Sequence, residues 1–194
     1  MAGPATVEIA AAAARLVVED GMEYGPAKRR AARALGAIAA DLPDNDLLED
    51  EIRAYLAIFC ADTQPAELAA LRAVALQWME RLASFRPYLA GAVWRGTATR
   101  HSDVHLELYC DDSKSAELTL IDQRIDYEVT SLPGPRGRPV DQLTLHVPSE
   151  ALGELVRVHL LVLDYDDLRG ALRADARGRT PRGDLAAVRA LGAA

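Results

Sequence analysis

Between Gly91 and Asp112 the sequence GAVWRGTATRHSDVHLELYCDD brings turn glycines, ionisable groups and a strand pattern together. From Ser102 onward, Val104, Leu106 and Leu108 alternate with Asp103, His105, Glu107 and Tyr109, the period-two signature of a half-buried strand. Asp103 and His105 therefore share a face. Just upstream, the Gly96-Thr97 turn offers backbone N–H groups and a hydroxyl suited to a phosphate or another anion. A third group, His159, interrupts the apolar run GELVRVHLLVL. If the strands carrying these residues are neighbours, Asp103, His105 and His159 make a two-histidine, one-carboxylate set of a kind that holds Zn²⁺ or Fe²⁺. An imidazole also titrates near neutrality and can act as a general base, which gives His105 a second role beside one Mg²⁺. The plain alternative is a surface strand with an ordinary connecting turn.

An apolar strand, Gly-Thr, a short spacer, Ser-Asp, an alternate polar residue and further apolar residues form an order that resembles the DNA-polymerase-beta-like nucleotidyltransferase superfamily. That family reads Gly-Ser or Gly-Gly, then Asp-x-Asp, with a third carboxylate on a later strand. Gly96 and Thr97 match the first pair, and Ser102-Asp103 the segment with the first aspartate. The second aspartate falls on His105 and the third on His159, two departures. The resemblance spans roughly Tyr88 to Asp164. It implies a mixed β-sheet, a nucleotide held by Gly96, Thr97, Arg100 and Ser102, and catalytic or metal-binding roles for Asp103, His105 and His159. Nucleotidyl transfer needs charge neutralisation by Mg²⁺ between carboxylates, and imidazole serves Mg²⁺ poorly. The two histidines thus imply a degenerate site, with Glu107 a substitute carboxylate one strand step further on. The whole chain is also similar to short bacterial proteins often labelled UDP-N-acetylmuramate–alanine ligase. Such a ligase needs a GxxxxGK[ST] phosphate loop, and no such string occurs.

The composition narrows the classes. The chain of 194 residues carries a formal charge of −7, from 22 basic and 29 acidic residues. Non-specific binding to phosphates rests on basic surface, so this balance argues against a general nucleic-acid or anionic-membrane binder. Cys60 and Cys110 form no CxxC pair and read as reduced, packed thiols. The N-terminus has no basic n-region and is broken by Glu8 and Arg15, which predicts neither a signal peptide nor a membrane span and points to the cytoplasm. GxSxG, HExxH and GxGxxG are all missing.

The elements that must position these residues fall into two parts. Thr6–Asp20 reads as an amphipathic helix ending at Gly21, and PAKRRAARALG as a short basic one closed by Gly36. DNDLLEDEIRAYLAIFC follows, with a capping box from Asp46 to Glu49 and an apolar stripe at Leu48, Ile52, Tyr55, Leu56 and Phe59. A helix–turn–helix DNA-binding protein is the alternative here. The third helix would then enter the major groove, but it presents Asp44, Asp46, Glu49, Asp50 and Glu51, which phosphates repel. A fourth helix begins at Thr63 and Pro65. Pro87 marks a change of composition. Beyond it, strands are expected at Leu89–Trp94, Ser102–Cys110, Ile125–Leu132, Val140–Val147 and Glu154–Asp164, with a helix at Lys114–Arg124. The tail arginines, including Arg179, Arg182 and Arg189, are suited to phosphate.

These readings converge on an α+β protein. A helical region over residues 1–86 precedes a nucleotidyltransferase-like mixed sheet with flanking helices over 87–194. Its expected function is nucleotide binding or regulation at a degenerate active site, with Mg or Zn as possible cofactors and a nucleotide or a protein as partner. The alternative is an active transferase or metal enzyme using Asp103, His105 and His159.

Overall fold

A computed structural model of the chain describes residues 3–38 and 41–192. The fold is α+β with its helices concentrated at the N-terminus, and it comprises two compact units. Unit 1 contains Met1–Glu67 and Thr97–Ser102; unit 2 contains Leu68–Gly96 and Asp103–Ala194. The division falls inside a helix, between Glu67 and Leu68, where neither glycine nor proline marks it, rather than at the composition change near residue 86.

In unit 1, helices α1 (Pro4–Asp20), α2 (Tyr24–Ala34) and α3 (Asn45–Phe59) enclose a core of Ile9, Val18, Leu48, Ile52 and Leu56. Alanines fill the rest: Ala13, Ala14, Ala27, Ala31 and Ala32 are all buried. Small side chains let the helix backbones approach closely, and burying each large aliphatic contributes about 1.5–3 kcal/mol. The cap of α3 is Asp44, whose Oδ1 accepts from the Leu47 N–H at 2.8 Å, not Asp46. Asp44 follows Pro43 in extended backbone, the conformation that an N-cap requires, whereas Asp46 already lies within the first turn. Glu49, expected on the exposed face, is buried instead, and Arg53 one turn on donates to it at 2.6 Å. Phe59, expected in the apolar stripe, is exposed at the helix end. Lys28 of the basic segment is used within the unit, donating to Pro43 O at 3.0 Å and to Asn45 Oδ1 at 2.9 Å.

Helix α4 (Gln64–Arg81) carries the chain across the division, and its later turns bury Leu71, Ala75, Trp78 and Met79. Unit 2 is then built on a six-stranded sheet: β1 (Pro87–Ala90), β2 (Val104–Cys110), β3 (Glu128–Pro133), β4 (Pro139–Ser149), β5 (Glu154–Asp164) and β6 (Arg182–Gly183). Its strand order is β3-β4-β5-β2-β1-β6. The central pair β2–β5 is parallel and all other neighbours are antiparallel. Strand β1 stops at Ala90 and does not continue to Trp94. Gly91 takes a left-handed φ of 72°, which turns the chain into the short helix α5 (Gly91–Arg95). Helix α6 (Ser115–Asp122) packs against β2, and α7 (Leu185–Leu191) against β1. Strand β3 starts at Glu128, later than the apolar alternation suggested, and as the sheet's edge it leaves Val129 exposed.

The register sorts the sheet into two faces. Val104, Leu106 and Leu108 of β2 align with Val158, Leu160 and Val162 of β5, and Leu143 and Leu145 of β4 continue the apolar face. Because side chains alternate, the opposite face takes the residues between them. There His105 aligns with His159 and Glu107 with Leu161 on β5, while Thr144 of β4 lies opposite His159.

Candidate functional site

Parallel pairing of β2 with β5 meets the condition for the sequence-predicted residues to act together, since His105 and His159 are cross-strand partners. The half-buried Asp103 lies at the head of β2. Its Oδ1 accepts from Arg157 Nε and its Oδ2 faces His159 Nε2, both at 3.0 Å. The other ring nitrogen, His159 Nδ1, lies 3.2 Å from the Gln142 amide nitrogen and 2.9 Å from Thr144 Oγ1. An amide NH₂ can only donate, so Nδ1 accepts and Nε2 carries the proton to Asp103. Burial pushes the Asp103 carboxyl up, but the His159 hydrogen bond and the Arg157 charge together outweigh it, and the carboxyl titrates below its ordinary range. His105 stacks on His159 with ring centroids 5.0 Å apart and planes at 29°. Gly91 leaves it room, since a Cβ there would come within 3.3 Å of His105 Cδ2.

The same face holds a second cluster, one strand step along. Arg182 of β6 donates to Glu107 Oε2 and to the Tyr109 hydroxyl, both at 2.8 Å, and that hydroxyl donates to Glu107 Oε2 at 2.7 Å. Burial, then the neighbouring Glu107 carboxylate, push the Tyr109 phenol far above its usual value. Tyr88 meets the Tyr109 ring edge-on at 5.5 Å. Glu107 is therefore committed to Arg182 and Tyr109 and does not replace a missing metal-binding carboxylate.

Among the described residues, no group of three or more His, Cys, Asp or Glu side chains is placed to hold a metal ion. The reason lies in how Asp103, His105 and His159 meet. Ligands aim lone pairs at one point, whereas these imidazoles lie face to face and Asp103 Oδ2 is taken up by one ring's N–H. The sequence carboxylate, imidazole, hydroxyl across Asp103, His159 and Thr144 is that of a nucleophilic triad. Thr144 is buried in mid-strand at 8% exposure, however, and the imidazole nitrogen facing it also takes Gln142. That hydroxyl has no path to a substrate.

The four residues expected to hold a nucleotide are arranged differently. Gly96 caps α5 in unit 2 with φ 81°, while Thr97, Arg100 and Ser102 lie in the loop segment of unit 1. In that loop the Thr99 N–H donates to Ser102 Oγ at 3.0 Å and the Arg100 N–H to Glu67 Oε2 at 3.0 Å. The Arg100 donor thus already binds an anion, one belonging to the chain. Thr97 is buried, and its hydroxyl has no hydrogen-bond partner among the described residues.

Compared with family models, curated proteins and solved structures, the chain matches none of them. The site stands on its own geometry.

Sequence reasoning singled out Asp103, His105 and His159 but passed over Thr144, Gln142 and Arg157. Alternation within QLTLHV and LVRVH places these three on the polar face, so the signal was there. Arg182 carried none: it was one of several tail arginines, and a two-residue strand has no periodicity to read. Of the others, Arg179 pairs with Asp175 at 3.0 Å and Arg189 with Glu80 at 2.6 Å.

Proposed function

We propose that this chain is a nucleotidyltransferase-like binding module with a degenerate active site, which holds a nucleotide on the polar face of its sheet and regulates rather than turns over. The observation that carries this reading is the commitment of Asp103. It is the one carboxylate at a position where the resembled family needs several, and Arg157 and His159 already hold both its oxygens. Two-metal nucleotidyl transfer needs carboxylates free to converge on the ions. Binding needs less. A half-buried face with stacked imidazoles, an exposed guanidinium at Arg157 and fixed hydrogen-bonding groups supplies surfaces for a base and for a phosphate.

The test is a thermal melt of the purified protein against each nucleoside triphosphate with Mg²⁺, and separately against Zn²⁺, for the wild type and His105→Ala. A ligand at a hundred times its Kd stabilises the folded state by about 2.7 kcal/mol, a rise of several degrees. The expected result is a shift with one triphosphate that His105→Ala loses, without release of pyrophosphate. Turnover abolished by Asp103→Asn would instead make the chain an enzyme. No shift with any triphosphate would end the nucleotide reading and turn the search to a protein partner.

A further inference from the structure

The sheet of unit 2 ends on two unequal edges. Strand β6 is two residues long and gives a neighbour little to pair with. Strand β3 is six residues long, five of them exposed, with β4 on one side and, among the described residues, no strand on the other. An open edge presents a row of backbone N–H and C=O groups, and proteins ordinarily blunt it with lysine, proline or a bulge. Here the one charge, Glu128, and the one proline, Pro133, stand at the two ends. Between them lie the β-branched Val129 and Thr130, and the register with β4 runs unbroken from Glu128–Thr144 to Pro133–Pro139.

The flank of this edge is apolar. Helix α6 is tied to it, since its N-cap Lys114 reaches Asp141 of β4 at 3.3 Å and Glu117 accepts from the Tyr127 hydroxyl at 3.0 Å. Leu118 and Ile121 follow Lys114 by one and two turns on one stripe and are 55% and 52% exposed, as is Val129 at 51%. What fits the edge is set by its charges. Asp126 and Glu128 lie at its start, and Arg136 and Arg138 in the turn that closes it. Arg136 is held by Asp167, but Asp126, Glu128 and Arg138 are exposed and enter no ion pair among the described residues. A strand acidic at one end and basic at the other repels a parallel copy of itself and attracts an antiparallel one. A two-fold axis generates that antiparallel arrangement from a single edge.

We propose that β3 pairs antiparallel with β3 of a second copy of this chain, continuing the sheet across a two-fold dimer in which the acidic end of each strand meets Arg138 of the other. Sedimentation equilibrium on the full chain tests this from about 5 to 500 μM in about 50 mM salt, because a short edge makes a weak interface and salt screens exposed charges. The expected result is a rise with concentration from 21.0 kDa to twice that mass and no further. Val129→Lys, which sets a charge in the paired edge, should weaken association about tenfold. Glu128→Arg and Arg138→Glu should each weaken it severalfold, and an equimolar mixture of the two should recover it, since unlike charges then meet at both ends. A monomer throughout the range overturns the proposal, as does mass growing beyond two copies. So does wild-type association in Val129→Lys, or a mixture that associates no better than its separate components. Circular dichroism checks the fold of each variant; if Val129→Lys fails to fold, the charge variants and their mixture decide alone.

Discussion

Unit 1 and unit 2 bury different things. In unit 1 the interior is aliphatic and alanine-rich, and most charges stand in water, as in the exposed Arg15–Glu19 and Arg30–Asp20 pairs. Glu49 is the exception, and Arg53 neutralises it from the next helical turn. In unit 2 one face of the sheet is aliphatic and the other carries half-buried polar side chains at two-residue steps, each with a named partner. Polar groups positioned by a hydrogen-bonded ladder and partly withdrawn from water are held in fixed geometry, and that is what binding or chemistry requires. Charges on the outer surface of a helix bundle are not held that way. The location of ionisable residues, more than their number, separates a scaffold from a candidate site.

The sharpest way to break this contrast is to remove a charge from each unit. Arg182→Met leaves Glu107 half-buried without its cation and should cost about 3–5 kcal/mol, whereas Arg15→Ala should leave stability unchanged within error. Urea unfolding reads both. Trp78 and Trp94 lie in unit 2, so their emission follows Arg182→Met there, and far-UV circular dichroism follows the helices for Arg15→Ala. Comparable losses in the two variants would erase the distinction.

Asp103→Asn should cost less, about 1–3 kcal/mol at neutral pH, because the amide keeps some hydrogen bonding but loses its charge beside Arg157. The loss should depend on pH with a definite sign. The Asp103 carboxyl is depressed in the folded state, so the stability it contributes is present above the unfolded value near 4 and is lost as pH falls through the lower folded value. The difference between wild type and Asp103→Asn should therefore shrink as pH falls below about 4. A difference that does not change with pH would mean that the charge is not what Asp103 contributes. The smallest expected effect is in unit 1, where Asp44→Ala removes the α3 cap and should cost about 1 kcal/mol by urea denaturation followed at 222 nm. Full stability in that variant would return the capping role to Asp46.

What could be read from the sequence follows how local each interaction is. The helices α1 and α3 and the strands β2 and β5 announced themselves through periodicity, because the apolar spacing of a single segment records which face it buries. The turn at Gly91 did not, since VWR is as apolar as a strand and only the left-handed backbone at the glycine breaks it. At the site, Asp103, His105 and His159 were recognisable by residue type, but their meeting depended on a register that pairs His105 with His159, 54 positions further on, which no window contains. Glu107 was read as a spare metal ligand because its partner, Arg182, sits 73 residues beyond Tyr109 in a strand too short to leave a pattern. Charge pairing over such distances is a property of the topology.

That topology has a consequence for the moment of synthesis. Strand β2 lies between β1, already made, and β5, which emerges only after α6, β3 and β4. Bacterial and other ribosomes add roughly 5–20 residues per second, so Tyr109 waits about 4–15 s for Arg182, 73 residues later. Until β5 emerges the nascent sheet exposes an open edge at β2, and until Arg182 follows Glu107 lacks its cation, a combination prone to mispairing with other chains. Slow decoding or premature termination between Cys110 and Glu154 should therefore send this polypeptide to chaperones or to aggregates, while chains released after Gly183 can close the sheet.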